Sequence, residues 1–121
     1  MMHVAVVGSR NFAPMRNMVP LLETFRSDIF GDFTLVSGGA EGVDKAAEKW
    51  AKSVGLPTKI FPADWERDGK RAGVMRNGAI ISNAQAVIVF WDGVSTGTLD
   101  SICRAKKSKE IPDDKIFIYL G

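Results

Sequence analysis

Five short apolar runs alternate with stretches of helical periodicity, and this alternation limits the fold more than any other feature of the chain. "HVAVV" (3–7) is rich in β-branched residues and ends at Gly8, and "QAVIVFW" (85–91) has no polar position after Gln85. Runs this continuous belong to strands covered on both faces. "FTLVS" (33–37), "TKIFP" (58–62, closed by Pro62) and "DKIFIYL" (114–120) read the same way. After the loop "GSRNFAPMR" (8–16), a helix is predicted over 17–30, with Asn17 as its N-cap and Pro20 in the first turn, where proline has no hydrogen bond to lose. A second helix is predicted over 42–55. Val43, Ala46, Ala47, Trp50 and Ala51 share one of its faces, and Gly55 stops it. A third spans 73–84, weakened by Gly78, and a fourth spans 97–109, its basic end suiting the negative pole of the helix. "ADWERDGKRAG" (63–73) reads as an exposed loop or lid.

Strand and helix in alternation imply a parallel sheet with helices packed on it. Right-handed crossovers then place the helices on both faces. The expected class is α/β, a Rossmann-like three-layer sandwich of about five parallel strands. The 121 residues suit one domain over 1–121, and 45% apolar with 25% charged residues is a globular composition. A net charge of +2 is too small to argue for nucleic acid by bulk electrostatics. Cys103 is the single cysteine, so no intrachain disulfide forms. That fits a reducing compartment, with Cys103 as a small packing residue. No run approaches the length of a membrane span or a secretory signal, and a cytoplasmic location is expected.

In such sheets ligands bind outside the carboxyl ends of the strands, where the strand order reverses. Four loops fall there: "GSRNF", "SGGAEGVD", "PADWERDG" and "WDGVSTGT". Glycine, hydroxyl, aromatic and charged residues concentrate in them. Gly38, Gly39 and Gly42 sit between a strand and a helix N-terminus. Either backbone N–H groups and the helix dipole make an anion site there, or the glycines serve a tight turn of positive φ. Their G-G-x-x-G spacing is neither the dinucleotide fingerprint nor a Walker loop. Asp44 follows in the first helical turn, as a local cap and dipole partner or as a ligand contact. In "GVSTGT" (93–98), Ser95, Thr96 and Thr98 add hydroxyls beside Gly93 and Gly97. That set suits phosphate, or an N-cap and a turn. Two such loops on one edge favour ligand binding.

Ser9 and Arg10 lie just past the first strand, where Arg10 is placed to grip phosphate or is a surface arginine. Arg76, beside Asn77 on a mostly apolar segment, pairs with an internal carboxylate or points into the cleft. Trp65 stacks on a base or packs a lid, and Asp64 acts on a sugar or serves as an acid or base. His3 is the only histidine and opens a strand, which argues against Ser–His–Asp or Cys–His chemistry. No cysteine–histidine cluster has zinc spacing, so neither a metal nor a cofactor is expected. "RAKKSK" (104–109) reads as a solvated helix end.

Taken in order from Val6 to Thr98, "VVGSR", "LVSGGAEGVDKAAEKWA", "PADW", "GKRAGVMRN" and "FWDGVSTGT" resemble the YspA-like branch of the SLOG superfamily. These are Rossmann-like domains that bind nucleotides or nucleotide-derived ligands. Residues and resemblance together place ligand contacts at Gly8, Ser9, Arg10, Ser37, Gly38, Gly39, Gly42, Asp44, Asp64, Trp65, Arg76, Asn77, Gly93, Ser95, Thr96, Gly97 and Thr98. The implied function is to sense or sequester a nucleotide or nucleotide-derived signal. Relatives commonly pair, which implies a homo-oligomer.

Two relatives imply alternatives. The "lonely guy" phosphoribohydrolases cleave the N-glycosidic bond of nucleoside monophosphates. They use an arginine that Arg76 matches and a loop glutamate. "VSTGTLDS" matches the G-T of that loop, but Ser101 stands in the glutamate's place. Asp100, one position earlier, points about 100° away around the helix. Asp64 is the other carboxylate that could serve an N-glycosidase. "GSR", "SGGAEGVDKAA" and "RN" also resemble the DNA-processing protein A family, which binds single-stranded DNA. Weak charge and few exposed aromatic residues do not favour a groove that tracks a strand, and nucleic acid is not expected as a partner.

Overall fold

The computed structural model describes residues 1–12 and 17–121. The end of the first loop, 13–16, lies outside the described residues. The elements are β1 (His3–Gly8), α1 (Met18–Thr24), β2 (Thr34–Ser37), α2 (Val43–Ser53), β3 (Thr58–Ile60), α3 (Trp65–Asp68), α4 (Ala72–Ser82), β4 (Ala86–Trp91), α5 (Thr96–Lys107) and β5 (Ile116–Leu120). All neighbouring strands are parallel, in the order β3-β2-β1-β4-β5. This is the expected Rossmann-like α/β sandwich.

The continuous apolar strands bury both faces, as their composition requires. From β1, Val4 and Val6 join one core, and Ala5 and Val7 the other. On β4, Ala86, Ile88 and Phe90 face the first core, while Val87 and Val89 face the second. The first core is completed by α1 and α2 through Met18, Leu22, Val43, Ala47 and Trp50. Ile80 and Ile81 of α4 and Ile102 and Ala105 of α5 complete the second. The Trp50 indole donates to Glu23 Oε1 at 2.6 Å, tying α2 to α1 with the polar edge of an otherwise buried ring.

Several local expectations change. The helix over 17–30 is α-helical only to Thr24 and continues as a π-helical turn, Phe25–Phe30. Packing explains this. Phe25 and Phe30 stack at 5.7 Å, and Phe25 meets Phe117 of β5 at 4.8 Å, so the wider turn brings both rings onto the core. Asn17 precedes α1 but makes no side-chain cap bond, because its backbone is already helical (φ −82°, ψ −12°). The 63–73 stretch is not a plain loop. Asp64 Oδ1 accepts the Arg67 N–H at 3.0 Å and opens the short helix α3, and a 3₁₀ turn at Gly69–Arg71 leads into α4. The helix predicted from Gly73 begins at Ala72. Gly78 gives α4 a close neighbour: an added Cβ would lie 3.3 Å from an Arg104 guanidinium nitrogen of α5. Among the described residues no helix is long and apolar enough to cross a membrane.

Candidate functional site

The strand order reverses between β1 and β4. From β1 the chain moves outward to β2 and β3, and from β4 it moves the other way to β5. The connections leaving β1 and β4 therefore diverge and open a crevice at the carboxyl edge. A cleft of about 400 Å³ lies there. Ser9 closes its floor. Its N–H donates to Phe90 O at 2.9 Å, its Oγ accepts the Asp92 N–H at 3.0 Å, and that oxygen lies 3.3 Å from Thr98 Oγ1. The glycine before it is steric. A Cβ on Gly8 would stand 2.6 Å from Phe90 O and 2.7 Å from Val43, so α2 could not pack against β1.

One wall is the first turn of α5. Asp92 shapes its entry by accepting N–H bonds from Val94 (2.9 Å) and Ser95 (2.8 Å) and the Ser95 hydroxyl at 2.7 Å. The Ser95 hydroxyl and N–H, then the Val94 N–H, hold the Asp92 carboxyl down at about 2. Ser95 makes no side-chain cap bond, so the N–H groups of Thr96, Gly97 and Thr98 are left to the cleft they line. Asn77 fixes this wall from α4: its Nδ2 donates to Gly97 O (3.2 Å) and to Asp100 Oδ2 (3.1 Å).

The opposite wall is built over the glycine-rich loop. A Cβ on Gly38 would meet Arg76 Cδ at 2.8 Å, Ile80 Cδ1 at 2.9 Å and Asp44 Oδ2 at 3.0 Å. Gly42 has φ +89°, and a Cβ there would lie 2.7 Å from the backbone oxygen of Arg10. The loop is short of side chains because the protein's own Arg76, Asp44 and Arg10 backbone press against it. Of the two readings of the glycines, the turn is seen at Gly39 and Gly42, which take positive φ, while the space at Gly38 is filled by side chains of the cleft itself and not left to an anion.

Arg76 and Asp44 both line the cleft without reaching ion-pair distance of each other. The Arg76 Nε is buried and has no hydrogen-bond partner among the described residues. A buried donor left unpaired costs about 1–3 kcal/mol, more when charged, so an arriving acceptor is favoured. Asp44 is 6% exposed. Burial pushes its carboxyl up to about 6, against the opposing Ala40 N–H (3.2 Å from Oδ2) and the Arg76 charge. Glu48, one turn further along α2, raises it further. That second carboxylate is itself buried and accepts the Ser37 hydroxyl at 2.6 Å, with Lys45 at 3.9 Å.

With this geometry in place, residues 2–67 match the sequence profile of the YAcAr family, described as YspA, cpYpsA-related SLOG. The Gene 61 protein of Mycobacterium phage D29 is 33% identical over 116 residues, covering 89% of this chain and 91% of the phage protein. The chain belongs to the YspA, cpYpsA-related SLOG family. No solved structure matches it significantly.

This SLOG cleft gathers Gly8, Ser9, Arg10, Asp44, Arg76, Asn77, Ser95, Thr96, Gly97 and Thr98 from the sequence-derived set. Ser37, Gly38, Gly39, Gly42 and Gly93 do not line it. Ser37 binds Glu48, Gly39 sits beside Ile60, and Gly93 is in the turn that Asp92 closes. Asp64 caps α3 and lines a separate depression with Trp65. The Trp65 indole, 61% exposed, and the Arg76 guanidinium flank Gly73, lying 3.7 and 4.0 Å from where its Cβ would be. Asp100 also accepts from Arg104 Nε at 2.8 Å and acts as a brace between α4 and α5. Sequence reasoning passed over Val7, Ala40, Glu41 and Ile80 on the cleft and Glu48 behind it, and met Ser101 only as the residue in the glutamate's place. Two had a signal: Ile80 and Glu48 stand four residues after Arg76 and Asp44, on the same helical faces.

Proposed function

We propose that this SLOG protein binds a nucleotide or nucleotide-derived ligand in the β1/β4 cleft and acts by sensing or sequestering it. One observation carries the reading: a buried, unpartnered arginine donor stands across a nucleotide-sized cleft from an uncapped helix N-terminus. Phosphate rests on the N–H groups of Thr96, Gly97 and Thr98 and their hydroxyls, with Arg76 opposite and Arg10 at the edge. Trp65, beside Arg76, covers the base. Membership of the SLOG family supports the ligand class.

The test is a thermal-shift panel of mono-, di- and cyclic nucleotides and NAD-derived compounds, with the same tubes then analysed by mass. A stabilising ligand recovered intact is expected. In Arg76→Ala the shift should fall by an amount equivalent to at least tenfold in affinity, since a charged hydrogen bond is worth about 1.5–3 kcal/mol. Release of free base would instead favour the second reading, an N-glycosidase using Arg76. For that chemistry the carboxylates on the cleft are Asp44 and Glu41, whereas Asp64 and Asp100 are engaged elsewhere. We also propose that copies self-associate. Val74 and Met75 on α4 and Leu99 on α5 are exposed apolar residues on the helices beside the cleft.

A further inference from the structure

We propose that Asp44 meets the ligand as a neutral carboxylic acid, donating its proton to an acceptor oxygen of the bound anion, so that binding takes up one proton from solvent. The inference rests on the anion-binding reading of the cleft. It assigns Asp44 a specificity role: the ligand presents an acceptor oxygen to it, not a hydroxyl donor.

Asp44 lies on the cleft wall at the first turn of α2, nearly sealed from solvent. Arg76 faces it from α4, and Arg10 and Glu41 face the same cleft from the β1 and β2 loops. Glu48 lies behind it on its own helix, with Lys45 beside Glu48 rather than beside Asp44. Among the described residues the cation that favours the ionised form is therefore chiefly Arg76, which does not reach ion-pair distance of it. The Ala40 N–H adds a hydrogen bond at 3.2 Å and the Gly38 N–H a weaker pull in the same direction, and burial outweighs both. The carboxyl already titrates near 6 before any ligand arrives.

An anion entering the cleft changes this balance in one direction. It draws on the Arg76 charge and adds a like charge beside Asp44 in a poorly hydrated space, and both effects disfavour the carboxylate. The other polar groups on the α5 wall, the N–H groups and hydroxyls of 95–98, are donors suited to an anion. A protonated Asp44 completes a donor set around it. An ionised Asp44 would set a buried negative charge against it, where the exposed Glu41 on the same cleft is screened by water. The proton balance is simple: the carboxylate plus one solvent proton gives the acid, and no covalent bond to the ligand forms or breaks.

ADP-ribose is the probe, because its diphosphate does not titrate between pH 5.5 and 8. Calorimetric titrations at pH 7.5 in two buffers of different ionisation enthalpy count the protons directly. About one proton taken up per ligand is expected, with affinity falling ~10-fold per pH unit above about 6.5. Asp44→Asn offers a donor at every pH. It should bind with the affinity of the acid limit, with no proton uptake and a flat pH profile. Three results overturn the inference. Binding without proton uptake in the unaltered protein refutes it alone, with no variant required. So does a pH profile that survives in Asp44→Asn, or an Asp44→Asn protein that folds and loses binding, as a hydroxyl acceptor or general base would. If neither ADP-ribose nor inorganic sulfate binds at pH 5.5 or 8, the anion site itself is wrong and the inference falls with it.

Discussion

Asp44 keeps an ionisable group where water scarcely reaches, and the fold bears a measurable cost for it. Its folded carboxyl titrates at about 6 against an ordinary 3.8, so folding favours the protonated form. The stability from that preference is full below about 3.8 and is lost as pH rises through about 6. Removing the charge should therefore stabilise the apo protein most above pH 7. Asp44→Asn is expected to gain up to about 3 kcal/mol at pH 8, and progressively less toward pH 4, in melts of the two proteins side by side. A gain that does not vary with pH would contradict the burial argument. The sequence placed Asp44 in the first turn of a helix but not in a charged cluster. Its neighbours Arg76 and Glu48 are set by how α4 and α2 pack, which no local pattern contains. Gly38 shows the same limit. Its glycine was readable, but that the space is filled by Arg76 and Asp44, not by ligand, required the assembled walls.

At the level of elements, the strands and main helices were legible because burial on two faces and helical periodicity leave a strong imprint. The boundaries of α2 and α5 moved by only one or two residues. The π-helical turn at Phe25–Phe30 was not legible, since it answers to Phe117 of a strand at the other end of the chain. Nor was α3, a four-residue helix held by the Asp64 cap, which has too few residues to show a period. The turn into α2 carries its own prediction. Gly42 combines a positive φ with backbone packed against its Cα hydrogen. Gly42→Ala should cost about 1–3 kcal/mol for its positive-φ, negative-ψ backbone alone, which side chains avoid, with the clash against Arg10 adding to it. Chemical denaturation would show this, and a cost under 0.5 kcal/mol would mean that the turn relaxes freely.

On the scale of the whole molecule, one reversal of strand order explains why polar residues collect on a single edge. The sequence led to that edge through its four loops, and the five parallel strands supplied the reason. The loops did not converge equally. The Asp64–Trp65 loop lines a separate depression, with Trp65 beside Arg76 at Gly73, while the β1, α2, α4 and α5 segments meet in one cleft. A ligand phosphate lying between Arg76 and the first turn of α5 is what would tie these walls to one function. Amide and arginine-side-chain NMR spectra, recorded as the most stabilising nucleotide is titrated in, test that most directly. The largest shifts are expected at the N–H groups of Thr96, Gly97 and Thr98 and at the Arg76 Nε–H. Shifts confined to the Trp65 depression or to β5, with those four signals unmoved, would contradict it.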